Sequence, residues 1–383
     1  MEHQKIAVIG GGIGGLCASL ALQRKGFQVT IYEKEGLIRP AGAGIGLGPN
    51  AVKALNSLGL KEQILKCSNS LDRFTIQSQN GIILSDIDFA KLAHKSGIGN
   101  AAIHRSDLHK VLRESLDEGT LQLNKKCVDF IQDENGVTLF FNDGESIRTD
   151  LVIVADGIHS IIRKKLLPHS TIRYAGYTCW RSVVPYDSGD QNHRASEIWG
   201  HDGRFGYIPL PSGHIYWFAC VNSEANDPVR SAYTVSHLLE LFDSFPHPVK
   251  DLIQSARNDQ LIHNDIYDIQ PLQQFAFGRI VLLGDAAHAT TPNMGQGAGQ
   301  AMEDAVVLGQ CMELESNFNR AFKLYEQRRL RRTRKIIERS RQIGSVSQWS
   351  HPALIYLRNQ LLKLVPDSLM SHSMQAQTQT DWE

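Results

Sequence analysis

Three short segments combine residue types at spacings that could do chemistry, and each follows an apolar run. Gly10-Gly11-Gly12-Ile13-Gly14-Gly15 follows Lys5–Ile9, Ala155-Asp156-Gly157 follows Leu151–Val154, and Gly284-Asp285-Ala286-Ala287-His288 follows Arg279–Leu283. In the first, Gly10 permits a tight turn, Gly12 admits a pyrophosphate to the backbone, and Gly15 lets helix and strand pack closely. The helix from Gly14 would aim unpaired N–H groups and a partial positive charge at the phosphates. Glu33, ending a second strand, can accept hydrogen bonds from a ribose diol.

One glycine turn would serve almost any dinucleotide, so the other two segments decide more. Asp285 sits at the carboxyl end of a strand, where open α/β sheets bind ligands, and can accept a ribityl hydroxyl. Pro292, Gly295, Gln296, Gly297 and Gly299 follow, then an apolar helix Ala301–Cys311. Those glycines would let backbone N–H groups approach a flavin ring, and the helix start would favour the negative charge of reduced flavin. The plainer reading is a glycine loop capping a helix, with Asp285 satisfying backbone donors. Arg105 is either a diphosphate partner or an ordinary surface arginine. Taken together in this order, the segments point to FAD.

The elements that must position these groups read as an α/β chain. Lys5–Ile9, a helix Gly14–Lys25 ended by Gly26, and the strand Gln28–Glu33 make a βαβ opening. Pro49 starts a helix Asn50–Leu58 ended by Gly59. Residues 71–100 read as short strands and loops, and Ser106 as the N-cap of a helix through Leu116. Asn135-Gly136 turns a hairpin, and Leu151–Ala155 returns to the parallel sheet. From 171 to 270 aromatic and β-branched residues mix with polar ones, which predicts an antiparallel sheet with one solvated or ligand-facing side. The expected architecture is a Rossmann-like FAD-binding domain from 1–70, 101–170 and 275–366. An antiparallel-sheet substrate domain from 71–100 and 171–274 is inserted into it, a helical segment closes the chain, and 367–383 is a polar, disordered tail.

Composition narrows the class. Lys+Arg and Asp+Glu balance at 40 each, so no broad field favours nucleic acid. Six scattered cysteines without a CxxC pair argue against a zinc site or a disulfide framework and suit a reducing cytoplasm. No run is apolar enough to span a bilayer, and Glu2-His3-Gln4-Lys5 leads into the first strand without a signal-peptide pattern. The run Arg328–Lys335 reads as the solvated face of an amphipathic helix, and Leu354–Val365 as an amphipathic segment docked on its own domain.

The motifs GGGIGG, ADGIHSIIR (155–163) and GDAAHATTPNMGQG (284–297) resemble the single-component FAD-dependent aromatic monooxygenases of the p-hydroxybenzoate hydroxylase fold. The similarity runs from Lys5 to about Ser345 and is nearest to salicylate- and urate-hydroxylase-like and zeaxanthin-epoxidase-like members. It implies that Gly10, Gly12, Gly14, Gly15, Glu33, Arg105, Asp156, Asp285, Pro292, Gly295 and Gly297 hold FAD. It also implies NADH or NADPH as a transient reductant, and O2 activated as a flavin C4a-hydroperoxide that hydroxylates a small aromatic or heteroaromatic ring in a monomer or homodimer. Urate hydroxylation, epoxidation, an oxygen-independent flavin reductase and a non-catalytic flavin protein remain as alternatives.

For the substrate, residues 204, 206 and 208 share one strand face, as do Tyr216 and Phe218. Arg204 and Tyr216 are the candidate catalytic residues, matching an Arg and a Tyr of urate hydroxylases, although both also suit a packed or solvated sheet. Asn293 stands where those enzymes lead one to expect an acidic residue. His288, Trp180 and Trp217 read as packing residues.

Overall fold

A computed structural model describes residues 4–37, 43–187, 189, 192–365 and 380, without the side chains of residues 95 and 96. The tail expected to be disordered lies almost wholly outside them. Two sheets dominate. The first has six strands in the order Ala276–Phe277, Ile280–Leu282, Leu151–Val154, Lys5–Ile9, Gln28–Tyr32 and Leu121–Gln122, all parallel save the first. Its central strands are near-continuous apolar runs because both faces are covered, one by helices such as Ile13–Gln23 and the other by a three-stranded antiparallel sheet of Cys127–Asp133, Gly136–Phe141 and Ser146–Thr149. Val8 and Ile153, paired in register, are both fully buried.

The second sheet has seven strands: Ile262–Ile269, Ile172–Pro185, His214–Asn222, Arg204–Leu210, Arg194–Trp199, Arg73–Ser78 and Ile83–Asp88. Every join is antiparallel except one, where Arg194–Trp199 runs parallel to Arg73–Ser78. Thus strands 73–88 extend the later sheet. A small sheet of Gly44–Leu47, Asn100–His104 and Ser68–Leu71 lies beside them.

Local expectations held where the signal was local. Gly26 and Gly59 have φ of +82° and +63° at the helix ends. Cys127–Asp133 and Gly136–Phe141 form the expected hairpin, but the turn falls one residue earlier, on Glu134 and Asn135; Gly136 opposes Asp133, whose carboxylate accepts from the Asn135 and Gly136 N–H groups. Two helices differ. Phe89–Ser96 is a helix, capped by Asp88 accepting from the Lys91 N–H and ended by Gly97. Arg105–Glu114 is capped by His104, whose ring accepts from the Ser106 N–H, rather than by Ser106. Asn100–His104 hands its last residue to the helix, so the strand end supplies the cap.

The largest correction concerns the basic run. Arg329, on the helix Phe318–Ser347, is 1% exposed. Its Nε donates to Asp304 at 2.6 Å and its Nη1 to Glu303 at 2.7 Å, both on the helix Gly297–Leu314. Arg332 donates to Glu303, and Asn50 and Gln300 also donate to that carboxylate. His288 bonds Asp304, so it belongs to this buried charge cluster rather than to simple apolar packing. A run of like charges looks solvated, yet two carboxylates one turn away in space make burial of a guanidinium tolerable.

The helix Pro352–Leu364 docks only in part. Arg358 is buried, with its guanidinium 5.2 Å from the Trp199 ring centroid, whereas Leu354, Leu357, Leu361 and Leu364 are exposed.

Candidate functional site

The two sheets face each other across a cavity of about 740 Å³. At one end the helix Ile13–Gln23 begins with no side-chain cap, so its first N–H groups are open toward the cavity. Gly10 holds φ at +106°, and a Cβ on Gly15 would sit 2.0 Å from the Gly10 carbonyl oxygen. A Cβ on Gly12 would meet nothing within 4 Å, which leaves a cradle at the helix start. Gly14 packs instead, its Cβ position being 3.0 Å from Leu283. Glu33 accepts from the Gly11 N–H at 2.5 Å and from the Glu35 N–H at 2.9 Å, a fixed carboxylate on the cavity wall.

Arg105, Asp156, Asp285, Pro292, Gly295 and Gly297 line the same cavity. Asp156 has a buried Oδ1 without a hydrogen-bond partner, and burial pushes its carboxyl pKa up, opposed by the Ser160 hydroxyl. An orphaned acceptor on a wall is a place for a ligand donor. The long helix at Gly297 also starts uncapped, with Gly297, Ala298 and Ala301 at the wall. These features fit an extended dinucleotide: a phosphate cradle, a ribose carboxylate, a mid-chain cation and a second helix start.

The opposite wall is the seven-stranded sheet. Strand alternation puts Tyr177, Cys179 and Arg181 on one face with Tyr216, Phe218 and Cys220, and with Arg204 and Ile208. Of these, Cys179, Arg181, Arg204, Ile208, Tyr216, Phe218 and Cys220 line the cavity, with Glu197 beside them. The structure therefore brings Arg204 and Tyr216 to the wall facing the glycine cradle. Trp180 and Trp217 lie on the reverse face, packed with Phe205, Leu238 and Phe242.

Arg204 is 2% exposed and heavily engaged. Its Nη1 donates to Glu197 Oε1 at 2.9 Å, and its Nη2 to the Tyr177 hydroxyl at 3.4 Å and to Asn293 Oδ1. Tyr177 also donates to Asn293 Oδ1, at 3.0 Å, while the Asn293 amide donates to Thr291 and to the Ser340 carbonyl. The negative charge that balances Arg204 comes from Glu197, so a neutral Asn293 suffices beside it.

Arg181 differs. Its Nη2 donates to Asn264 Oδ1 at 2.7 Å, its Nε has no partner, and the Tyr216 hydroxyl lies against it. Burial pushes the Tyr216 phenol pKa up, against the lowering effect of that guanidinium. Neither Arg181 nor Glu197 was among the sequence candidates. The alternation that put 204, 206 and 208 on one face applies equally to 177, 179 and 181, and would have found Arg181.

Comparison with known proteins agrees with this geometry. The family model described as FAD binding domain matches residues 3–340. The chain is 34% identical to an aurachin C monooxygenase/isomerase of Stigmatella aurantiaca over 360 residues, 94% of each protein. It is 33% identical to 2-heptyl-3-hydroxy-4(1H)-quinolone synthase of Pseudomonas aeruginosa, covering 95% of this chain and 94% of that one. Klebsiella pneumoniae HpxO, in a crystal structure with FAD and uric acid, superposes with a TM-score of 0.90 at 30% identity, over 98% of this chain and 97% of its own. With a glycine cradle, two uncapped helix starts and an orphaned Asp156 oxygen along one cavity, the match places this chain in the FAD binding domain family, as a flavoprotein monooxygenase of the p-hydroxybenzoate hydroxylase fold.

Proposed function

We propose that this protein uses NAD(P)H and O2 to hydroxylate a heteroaromatic ring carrying an exocyclic carbonyl or enolate oxygen, with a 4-quinolone as the favoured type and urate as the second. The observation that carries the reading is the pairing of Arg181 with Tyr216 on the wall opposite the glycine cradle. Each keeps an unpaired Nε, but Arg204 is already charge-balanced by Glu197, whereas the hydrogen-bond partners of Arg181, Asn264 and Tyr216, are neutral. A guanidinium whose Nη2 is already given to Asn264 suits a carbonyl or enolate oxygen beside the phenol better than a carboxylate, which is held best by two parallel free N–H donors. A relative named as a 2-heptyl-3-hydroxy-4(1H)-quinolone synthase supports the same choice.

In this reading residues 1–70, 101–170 and 275–366 hold the cofactor, and 71–100 with 171–274 hold the substrate. Gly10, Gly12, Gly14 and Gly15 with the helix start take the pyrophosphate, Glu33 a ribose, Arg105 the diphosphate, Asp285 the ribityl chain, and Asp156 a donor near the flavin. Pro292, Gly295 and Gly297 shape the turn that brings backbone N–H groups to the ring. The bound flavin supplies oxygen activation after reduction by a nicotinamide that visits the site. The chain's own task is to orient the substrate and exclude water. Arg181 and Tyr216 orient the exocyclic oxygen of the substrate, Arg204 stiffens the wall through Glu197, Tyr177 and Asn293, and Phe218 and Ile208 keep the reacting carbon dry.

The test is NAD(P)H oxidation by the yellow, FAD-loaded protein with 2-alkyl-4-quinolones, urate, salicylate and phenols. Quinolone-stimulated oxidation with a hydroxylated product supports the proposal. Stimulation by urate or salicylate alone would move the substrate class. Stable FAD without stimulation by any ring would leave a reductase or a flavin-binding role.

A further inference from the structure

Cys179 and Cys220 are direct partners across two antiparallel strands, Ile172–Pro185 and His214–Asn222. Both are free thiols, only 2% and 1% exposed, and both line the cavity shared with Arg181 and Arg204. Directly opposed residues of an antiparallel pair have Cα atoms about 4.5–5.5 Å apart, within the range a disulfide spans. We propose that Cys179 and Cys220 form a redox-modifiable dithiol in the substrate wall, closed to a disulfide by hydrogen peroxide reaching it through this cavity.

The chemistry balances. The Cys179 thiolate attacks one peroxide oxygen, forming an S–O bond as the O–O bond breaks, and water leaves after protonation. The Cys220 sulfur then attacks the resulting sulfenic acid, an S–S bond forms, the S–O bond breaks, and a second water leaves. Two thiols are oxidised and one peroxide is reduced to two waters. Cys179 is the attacking thiol, because a hydrogen bond from Cys220 and the nearby Arg181 and Arg204 guanidinia favour its thiolate despite burial. Burial keeps Cys220 protonated until the sulfenic acid forms beside it.

The location gives the modification a consequence. Peroxide is the by-product of any flavin oxygenase turnover that fails to reach substrate, so its source would lie in the same cavity. Drawing the two strands together between Arg204 and Arg181 disturbs the wall on which the substrate oxygen rests. The other four cysteines have no such partner: Cys17, Cys127 and Cys311 are tied to the pocket by no cross-strand thiol, and Cys67 lies half-buried on a helix end.

The experiment treats the FAD-loaded protein with a small excess of peroxide, removes the peroxide with catalase, denatures, alkylates free thiols and maps peptides without reduction. The expected result is a linked 179–220 peptide, lighter by two hydrogens, that dithiothreitol restores to two alkylatable thiols. Free alkylation of both residues after peroxide, or separate oxygen adducts with no link, would overturn the proposal. Cys220→Ser supplies the second arm: its Cys179 should go on to an oxidation that dithiothreitol does not reverse. A fully reversible product in that variant would equally sink the dithiol. The link is read by mass, so the outcome is independent of whether any tested ring proves to be a substrate.

Discussion

Glu197 and Arg204 face each other across adjacent strands with 2.9 Å between Oε1 and Nη1, and the same carboxylate oxygen accepts the Trp199 indole N–H at 2.9 Å. The pair is a buried charge balance in the floor of the cavity, and its worth depends on keeping both halves.

Removing one half should therefore be costly. Glu197→Ala leaves a guanidinium with 2% exposure unpaired and is expected to cost about 3–5 kcal/mol of folding stability. The double change Glu197→Gln with Arg204→Met should cost less than Glu197→Ala alone, because no buried charge is left over. Urea midpoints of the three proteins decide it; a single variant as stable as the parent would refute the pairing.

Arg181→Met should lower kcat/KM for the ring substrate by about 10–100-fold, the range of a lost charge-assisted hydrogen bond. The FAD spectrum should be unchanged, because Arg181 lies on the substrate wall. Full retention of substrate stimulation would return the anchoring role to Arg204.

The glycine cradle makes two opposite forecasts. Gly12 has φ −73° and open space at its Cβ position, so Gly12→Val should keep the fold while blocking the phosphate approach. FAD affinity is expected to fall by about tenfold or more with unaltered circular dichroism. Gly15→Ala places a Cβ against the Gly10 carbonyl and should damage folding itself. Equal FAD affinity in Gly12→Val and the parent would place the pyrophosphate elsewhere.

Acid should reveal the charge cluster behind the site. Burial alone would raise the Asp304 carboxyl, but His288 and Arg329 outweigh it and hold its pKa at about 2, below the usual aspartate range. A depressed carboxylate stabilises the fold above its unfolded pKa, and that stability, about 2 kcal/mol, is lost as pH falls from about 4 through about 2. The stability gap between the parent and Asp304→Asn should narrow over that interval. A gap independent of pH there would show that the carboxylate is not the titrating group.

Much of this protein was already readable in its sequence. Glycine spacing and the glycines ending helices act through backbone conformation within a few residues, so they declare themselves without tertiary context; the hairpin of 127–141 was equally legible, although its turn lies on Glu134 and Asn135. Apolar runs likewise betray strands that will be covered on both faces. The carboxylate at Asp285 and the flavin-type order of the three segments follow from the same local logic.

What only the fold decided depends on register and on partners distant in the chain. Arg329 looks solvated until Glu303 and Asp304 arrive from another helix. The alignment of Cys179 with Cys220 is set by the pairing of two strands whose partners lie some 40 residues apart, and a one-residue slip of either strand would turn its thiol to the other face, away from its partner. That Arg204 and not Arg181 carries a balancing carboxylate is settled by Glu197, a neighbour supplied by a third strand. Residue type names the chemistry available, but charge balance is a property of packed neighbours, and those exist only after the chain has folded.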